Sequence, residues 1–221
     1  MKKKKMAFSI FIVTLFVAIL STSLVLVYSA NNQVVKSTMN VTYTADHVGA
    51  TVSATFQKAG TTSATSLTTT GAGGGATSIS FAITESTTTR SLSWSSNIEI
   101  DSSDPYVLFT YKFHNNATTG ADPYYVNLTN GSTGSAFDVY YYKDTAGYTP
   151  ASGLSSKVST ITSANYTTFA SMKTGLGNVS VAAQGDTYLY ILVEIKSSSL
   201  DANAYYTNSN NIAFTLTHST T

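Results

Sequence analysis

Two aspartates separated by two serines form the segment of this chain best suited to binding a metal ion. Asp101 and Asp104 enclose Ser102 and Ser103 and are followed by Pro105. Ca2+ prefers flexible sites built from several oxygen ligands, so the pair is a calcium candidate. Asp and Ser also begin tight turns, in which their side chains bond nearby backbone groups. The segment predicts such a turn, with calcium as the alternative and no other cofactor expected.

Histidine, the most common catalytic base, is rare in this sequence. His47, His114 and His218 form no His-Glu-x-x-His motif, and Gly-x-Ser-x-Gly is absent. A zinc site needs three or four placed ligands, and a serine nucleophile needs an activating base. Carboxylates that could pair for glycoside hydrolysis are also few. We therefore expect no enzymatic activity.

Tyrosine offers a different chemistry, because the chain has 15 of them. In the run Tyr140-Tyr141-Tyr142, an extended backbone would place Tyr140 and Tyr142 on the same face. Outward tyrosines can stack on sugar rings or build a protein interface, since the ring is apolar and the hydroxyl is polar. Tyr140 and Tyr142 are therefore glycan-binding candidates. The alternative is that aromatic pairs across strands simply stabilise a sheet.

Apolar and polar residues alternate with a period of two through most of the chain, as in strands with one buried face. The clearest runs cover residues 48–57, 79–83, 92–100, 107–114, 137–142, 189–196 and 212–216. Shorter strands are predicted at residues 41–44, 124–129, 158–161 and 179–183. One helix is predicted at residues 163–173, where Ala164, Thr168 and Met172 share a side.

The predicted fold class is all-β. Roughly ten short strands separated by polar turns indicate an antiparallel β-sandwich, of the jelly-roll or Ig-like kind. Because the strands alternate instead of being wholly apolar, one face of the sheet is expected to be wet. Residues 31–221 are expected to form a single domain. Residues 59–78, rich in Gly, Thr and Ser, are expected to form a flexible loop.

The first thirty residues read as a targeting segment. Lys2 to Lys5 precede an uncharged apolar run, which ends at Ala30 before the chain turns polar. This is the pattern of a secretory signal peptide, with cleavage expected after Ala30. The run is longer than usual signal cores and is long enough to span a bilayer, so an uncleaved anchor is the alternative. Either way the remainder is expected to be exported: secreted, or held at the cell surface.

Charge argues against several partners. Charged residues make up 10% of the chain, and loss of the four N-terminal lysines changes the net charge from +1 to −3. Nucleic acid is therefore not expected as a partner, and a membrane only through residues 1–30 if they stay attached. The chain has no cysteine, so its core must hold it together without disulfides.

Few charges and high β propensity make strand-to-strand association easy, because edge strands are usually protected by Lys, Pro and inward charges. A strand from one copy could complete the sheet of the next. Residues 31–44 are the natural donor, since cleavage after Ala30 would free them. Val34, Val35, Val41 and Tyr43 are the residues expected to mediate this self-association into an oligomer or fibre.

Two strand patterns resemble those of a known family. One runs from Val107 to Asn116, and the other from Gly185 to Ile195, followed by a closing strand at residues 212–217. With the Lys-led signal and the cysteine-free, Thr/Asn-rich body, they are similar to the TasA/camelysin-like secreted β-sandwich proteins. This resemblance implies a secreted sandwich that forms biofilm-matrix fibres.

The leading hypothesis is an exported structural protein of the cell surface or matrix that self-associates through β-strands. One alternative is a glycan-binding module or adhesin that uses outward tyrosines. Another is a pilin-like subunit that keeps its N-terminal helix. The sequence leaves open the ligand, the oligomeric state and the fate of residues 1–30.

Overall fold

The computed structural model describes residues 33–43, 50–70, 78–81, 90–116, 122–129, 137–196, 206–208 and 211–216, with side chains for residues 51–68, 98–116 and 137–196. The predicted signal or anchor, residues 1–30, lies outside them. The strands are β1 (Gln33–Tyr43), β2 (Ala50–Lys58), β3 (Thr65–Ser66), β4 (Thr69–Thr70), β5 (Ser78–Phe81), β6 (Arg90–Ile100), β7 (Tyr106–Asn115), β8 (Asp122–Thr129), β9 (Phe137–Asp144), β10 (Ser180–Val181), β11 (Asp186–Ile195), β12 (Tyr206–Asn208) and β13 (Asn211–Leu216). The helices are α1 (Leu154–Ala164) and α2 (Phe169–Leu176).

The described chain is mostly β, as predicted. Its principal sheet is antiparallel and has five strands in the order β3-β2-β7-β11-β9, while β5 also pairs with β2. The three long central strands are those with the clearest period-two alternation. Their register aligns apolar rows across the sheet, for example Ala54 opposite Tyr111, which lies opposite Leu189. One-residue slippage would turn these rows to the other face, so burial fixes the register.

One face of the principal sheet carries the larger hydrophobic core. The apolar residues that alternate along β2, β7, β9 and β11 are buried there together with side chains from β6, β10 and α2. Tyr111, Phe113, Leu189 and Ile191 are each at most 1% exposed. The prediction that these alternating residues form the buried face is therefore confirmed. Burial of large apolar side chains contributes about 1.5–3 kcal/mol each and is the main stabilising term for such a sheet.

The opposite face of the principal sheet was expected to be exposed to solvent, and this is wrong for the part that α1 covers. Leu108, Tyr190 and Leu192 lie on that face and are fully buried. They form a second core with Leu154 and Ile161 of α1. The alternation in the sequence is interrupted at these positions by large apolar residues, because they contact a helix instead of water.

Helix α1 replaces the strand predicted at residues 158–161, and the single helix predicted at residues 163–173 is in fact two. Helix α1 ends at Asn165, which takes a left-handed conformation with φ 57°. Asn accepts this conformation more readily than most residues, so it is a natural end point. Helix α2 then begins at Thr168, whose side chain forms a reciprocal capping box with Ser171.

The two helices also protect an edge of the principal sheet. Strand β9 ends the sheet, and the backbone N–H of Tyr141 donates to the carbonyl of Tyr166, in the α1–α2 connection, at 2.8 Å. The Lys143 ammonium donates to the carbonyl of Leu176, at the end of α2, and to that of Asn178, two residues beyond it, at 3.0 Å. A cation at a helix C-terminus is favourable, because the last carbonyls carry partial negative charge. Strand β9 therefore cannot pair with another chain over its full length, because this connection occupies part of its edge.

Two further sheets complete the described strands. One has the order β12-β1-β6-β4, and the other has the order β10-β8-β13. Strand β10 follows α2 directly, and β6 leads towards β7 through the turn that contains Asp101. Both β6 and β10 contribute buried side chains to the larger core, Ile98 and Ile100 from β6 and Val181 from β10.

The predicted loop at residues 59–78 contains some regular structure. It holds the two-residue strands β3 and β4, and Leu67 between them is 3% exposed and packs in the larger core. Residues 71–77 lie outside the described part, so the flexibility of the loop stays a prediction. Within the described residues, no helix has the length and apolar character needed to cross a bilayer.

Candidate functional site

The residues predicted to mediate self-association lie on β1, of which the backbone is described. Strand β1 pairs antiparallel with β6 over its whole length of 11 residues. On its other side it pairs in parallel with β12, where Val35 lies opposite Tyr206. Val34, Val41 and Tyr43 are all at register positions opposite β6. Strand β1 thus lies between β6 and β12 of its own chain. Its role in self-association stays a prediction.

The two aspartates proposed for calcium form a turn between β6 and β7. Asp101 Oδ1 accepts hydrogen bonds from the backbone N–H groups of Ser103 at 2.7 Å and Asp104 at 2.9 Å. Asp104 Oδ2 is paired with Lys58 Nζ at 2.9 Å. No group of three or more His, Asp or Glu side chains with metal-binding spacing occurs among the described residues. Calcium binding stays a prediction, while the turn geometry is the one expected for Asp and Ser.

Tyr140 and Tyr142 lie on the face of β9 that α1 covers. Both are half-buried and pack against the second core. Tyr140 lies opposite Leu192, and Tyr142 lies opposite Tyr190. Burial raises the pKa of Tyr140, with Asp138 and Glu194 nearby adding to the effect. Their contacts are those of a cross-strand aromatic row, and glycan binding by them stays a prediction.

A charged cluster that the sequence alone does not predict lies on the same face, beyond α1. Asp186 begins β11 and lies opposite His114 of β7. Its Oδ1 is 2.8 Å from His114 Nδ1, and its Oδ2 is 2.9 Å from Lys112 Nζ. Lys112 and His114 are two residues apart on one strand, so both side chains project on the same side and reach one carboxylate. The only signal in the sequence is the two-residue spacing of Lys112 and His114. Which residue of β11 they contact depends on the register of the two strands.

The Asp186 carboxylate is stabilised in its charged form. Burial opposes ionisation, but hydrogen bonds from Lys112 and His114 outweigh it and hold the pKa of Asp186 below its ordinary value. The same pair raises the pKa of Lys112, chiefly through the hydrogen bond to Asp186. Both groups are therefore charged at neutral pH, and each neutralises the other.

Replacement of Asp186 by Asn is expected to reduce the dependence of stability on pH. A carboxyl group with a depressed folded-state pKa stabilises the fold above its unfolded pKa of about 3.9, and this stabilisation is lost as the pH falls through the folded-state value. We expect Asp186→Asn to lower the free energy of unfolding by about 1 kcal/mol or less at pH 7 and to have no effect on it below both pKa values. Urea unfolding between pH 7 and pH 2 measures this. The difference at pH 7 should shrink in 1 M NaCl, and parallel pH profiles for the two proteins would contradict the assignment.

A shallow groove adjoins this cluster on the uncovered half of the sheet. Two depressions, of about 230 and 380 Å3, share Ser53 and Lys112 and form one continuous surface. We call this surface the outer groove. Its floor consists of outward residues of β2, β7 and β11, and one wall is the loop after β9, with Gly147, Tyr148 and Pro150.

The wall is held in place by specific contacts. The Tyr148 hydroxyl donates to Gln57 Oε1 at 2.9 Å, and the Gln57 amide donates to the carbonyls of Thr61 and Pro150. A Cβ on Gly147 would lie 3.2 Å from the Tyr188 ring, so the loop approaches this ring closely because residue 147 has no side chain. The outer groove thus lies between a strand face and a loop that these hydrogen bonds connect to β2.

A scan against protein-family models finds no match for this chain, and a search of the curated proteins finds no similar sequence. The function must therefore be inferred from the geometry of the chain itself.

Proposed function

We propose that this protein is an exported structural subunit of the cell surface or matrix, which self-associates by exchanging β1 between copies. The observation that carries the proposal is the position of β1. It is the first strand after the predicted signal segment, and it pairs on both sides, in parallel on one and antiparallel on the other. In a neighbouring copy, β1 could occupy the same position between β6 and β12 and form the same backbone hydrogen bonds, as in β-strand addition.

The proposed architecture is an antiparallel β-sandwich, of the jelly-roll or Ig-like kind, with β1 in the smaller layer. Support comes from the larger core, where Ile98 and Ile100 of β6 are buried together with the apolar face of the principal sheet. Two sheets that bury their inner faces against each other are what a sandwich requires. In this arrangement, removal of β1 would leave β6 without a partner on the side that β1 occupies and open a site for another copy.

The edges of the principal sheet favour β1 as the exchanged element. One edge, β9, is covered by the α1–α2 connection. The other edge, beside β2, is made by β3 and β5, which are only two and four residues long. Short or covered edges do not template long pairing. The principal sheet therefore offers no long free edge strand, and exchange of β1 is the route that the resemblance to TasA/camelysin-like fibre proteins also favours.

Engineered cysteines can test whether β1 pairs within one copy or between copies, since the chain has no cysteine of its own. Ser37 lies opposite Ser96, and Thr38 lies opposite Ser95. Hydrogen-bonded and non-hydrogen-bonded positions alternate along an antiparallel pair, so one of these two positions has the shorter Cα separation. We expect oxidation of Ser37→Cys/Ser96→Cys or Thr38→Cys/Ser95→Cys in concentrated samples to give a ladder of covalent oligomers.

A mixture of two single-cysteine proteins makes this test specific. Ser37→Cys mixed with Ser96→Cys can form a mixed disulfide only between copies. The control pairs Ser37→Cys with Ser93→Cys, which lies opposite Asn40 and is out of reach at the β1 register. We expect mixed dimers from the first mixture in excess of the control. Intramolecular disulfides alone in the double variants, with equal yields in both mixtures, would refute strand exchange.

A further inference from the structure

The outer groove has the lining expected of a saccharide site. Its floor presents hydroxyl groups from three alternate residues of β2, Thr51, Ser53 and Thr55. They lie opposite His114, Lys112 and Thr110 of β7 respectively. Ring and hydroxyl groups come from Tyr188 on β11 and Tyr148 on the wall. Sugar rings offer apolar C–H faces and polar edges, so aromatic rings beside hydroxyl groups match both.

The aromatic part of the groove is fixed in position. The rings of Tyr188 and Tyr190 are stacked, with centroids 6.1 Å apart and planes 12° from parallel. Tyr190 is fully buried and its hydroxyl donates to the carbonyl of Ala146 at 3.0 Å. Tyr188 is half-buried, and the loop contacts it at Gly147. Lys112 Nζ also lies over the Tyr188 ring, 5.9 Å from its centroid. These contacts hold the ring in one orientation, which lowers the entropic cost of binding a ligand at its remaining exposed surface.

The charges in the groove compensate each other. Lys112 and His114 both contact Asp186. The Lys112 ammonium and the Asp186 carboxylate are paired at 2.9 Å, so neither is an unpaired charge. A groove whose cation is already paired favours a neutral ligand over a phosphate or an acidic polymer.

We propose that the outer groove binds a neutral saccharide, with Tyr188 as the stacking residue and the hydroxyl groups of β2, together with Lys112, bonding the edge of the sugar. This site is distinct from the Tyr140 and Tyr142 row, which α1 covers. It does not depend on strand exchange, because none of its residues belongs to β1.

Calorimetric titration of the full chain tests the proposal, with the protein held in a detergent that has no sugar headgroup. The probes are cellotetraose, maltotetraose and chitotetraose, with tetragalacturonate as the acidic counterpart. We expect at least one neutral tetrasaccharide to bind, more tightly than the acidic one. Tyr188→Ala should weaken that binding about tenfold, whereas Tyr188→Phe should retain it, because stacking needs the ring.

Two further variants keep the test decisive. Ser53→Phe fills the groove from the half-exposed floor and should abolish binding even if Tyr188→Ala fails to fold. Tyr166→Ala removes a half-buried tyrosine in the α1–α2 connection, outside the groove, and should leave binding unchanged. Thermal unfolding of each variant verifies the fold. Absence of binding for all three neutral probes, preference for the acidic one, or equal losses in Tyr166→Ala and Tyr188→Ala would overturn the proposal.

Discussion

A chain that lacks residues 31–44 is expected to lose much of its stability and to regain it when a synthetic peptide of the Gln33–Tyr43 sequence is added. Strand β1 pairs with β6 at every one of its 11 residues, and removal leaves those backbone groups of β6 without their strand partner. Unpaired backbone groups in a sheet are costly when water cannot reach them. The peptide restores this pairing as a separate molecule, just as β1 of another copy does in strand exchange.

Mass action sets the size of the effect. A peptide that binds only the folded chain stabilises it by about 2.7 kcal/mol at a concentration of 100 times its Kd. For a chain of this size, each kcal/mol shifts the unfolding midpoint by roughly 2–4 °C, so the midpoint should rise by about 5–10 °C. Thermal unfolding of the truncated chain with increasing peptide measures this directly.

A scrambled peptide of the same composition is the control. It keeps the hydrophobicity and β propensity of β1 but not the order of side chains that the register requires. Equal stabilisation by the two peptides, or a truncated chain as stable as the intact one, would show that β1 is not an exchangeable part of the fold. The saccharide site would be unaffected by that result, since its residues lie on β2, β7, β11 and the loop after β9.

The second large effect is expected at Ile161, under helix α1. Ile161 is fully buried in the second core, against the principal sheet. Truncation to Ala removes apolar contacts and leaves a cavity, so we expect a loss of about 2–5 kcal/mol in the free energy of unfolding. Urea unfolding should show a lower midpoint with an unchanged slope, because the same surface is exposed on unfolding.

Ser159 supplies a matched control in the same helix. It is exposed, two residues from Ile161, so Ser159→Ala is expected to change stability by no more than about 0.5 kcal/mol. If residues 158–161 formed the predicted strand, residues 159 and 161 would lie on the same face and would both be buried. Comparable losses in both variants would contradict the helix and the second core.

Prediction from sequence failed at α1 for an identifiable reason. Val158 and Ile161 are β-branched and separated by Ser and Thr, a composition that favours strands. The helix also lacks a side-chain cap at Gly153. What stabilises it is burial of Leu154 and Ile161 against the sheet, which no local pattern reveals. Helix α2, by contrast, has a local signal in Thr168 and Ser171, and the predicted helix overlapped it.

The candidate sites also differ in whether local sequence or tertiary structure determines them. The turn at Asp101 follows from residue type alone, because its hydrogen bonds connect neighbours in the chain. The contact of Asp186 with Lys112 and His114 joins residues more than seventy positions apart. It exists because β7 and β11 pair in one register, so their charges meet at one end of the sheet.

The sequence by itself determined which residues of the long strands face the larger core, since period-two alternation reports burial on one side of a sheet directly. Val107, Phe109 and Tyr111, alternate apolar residues of the run 107–114, are buried as this alternation predicts. Only the tertiary structure decided what covers the opposite face. Helix α1 buries Leu108 and Leu192 there, while the loop at Tyr148 leaves the outer groove open. These contacts are between elements distant in sequence, and their free energy is not a property of any one segment.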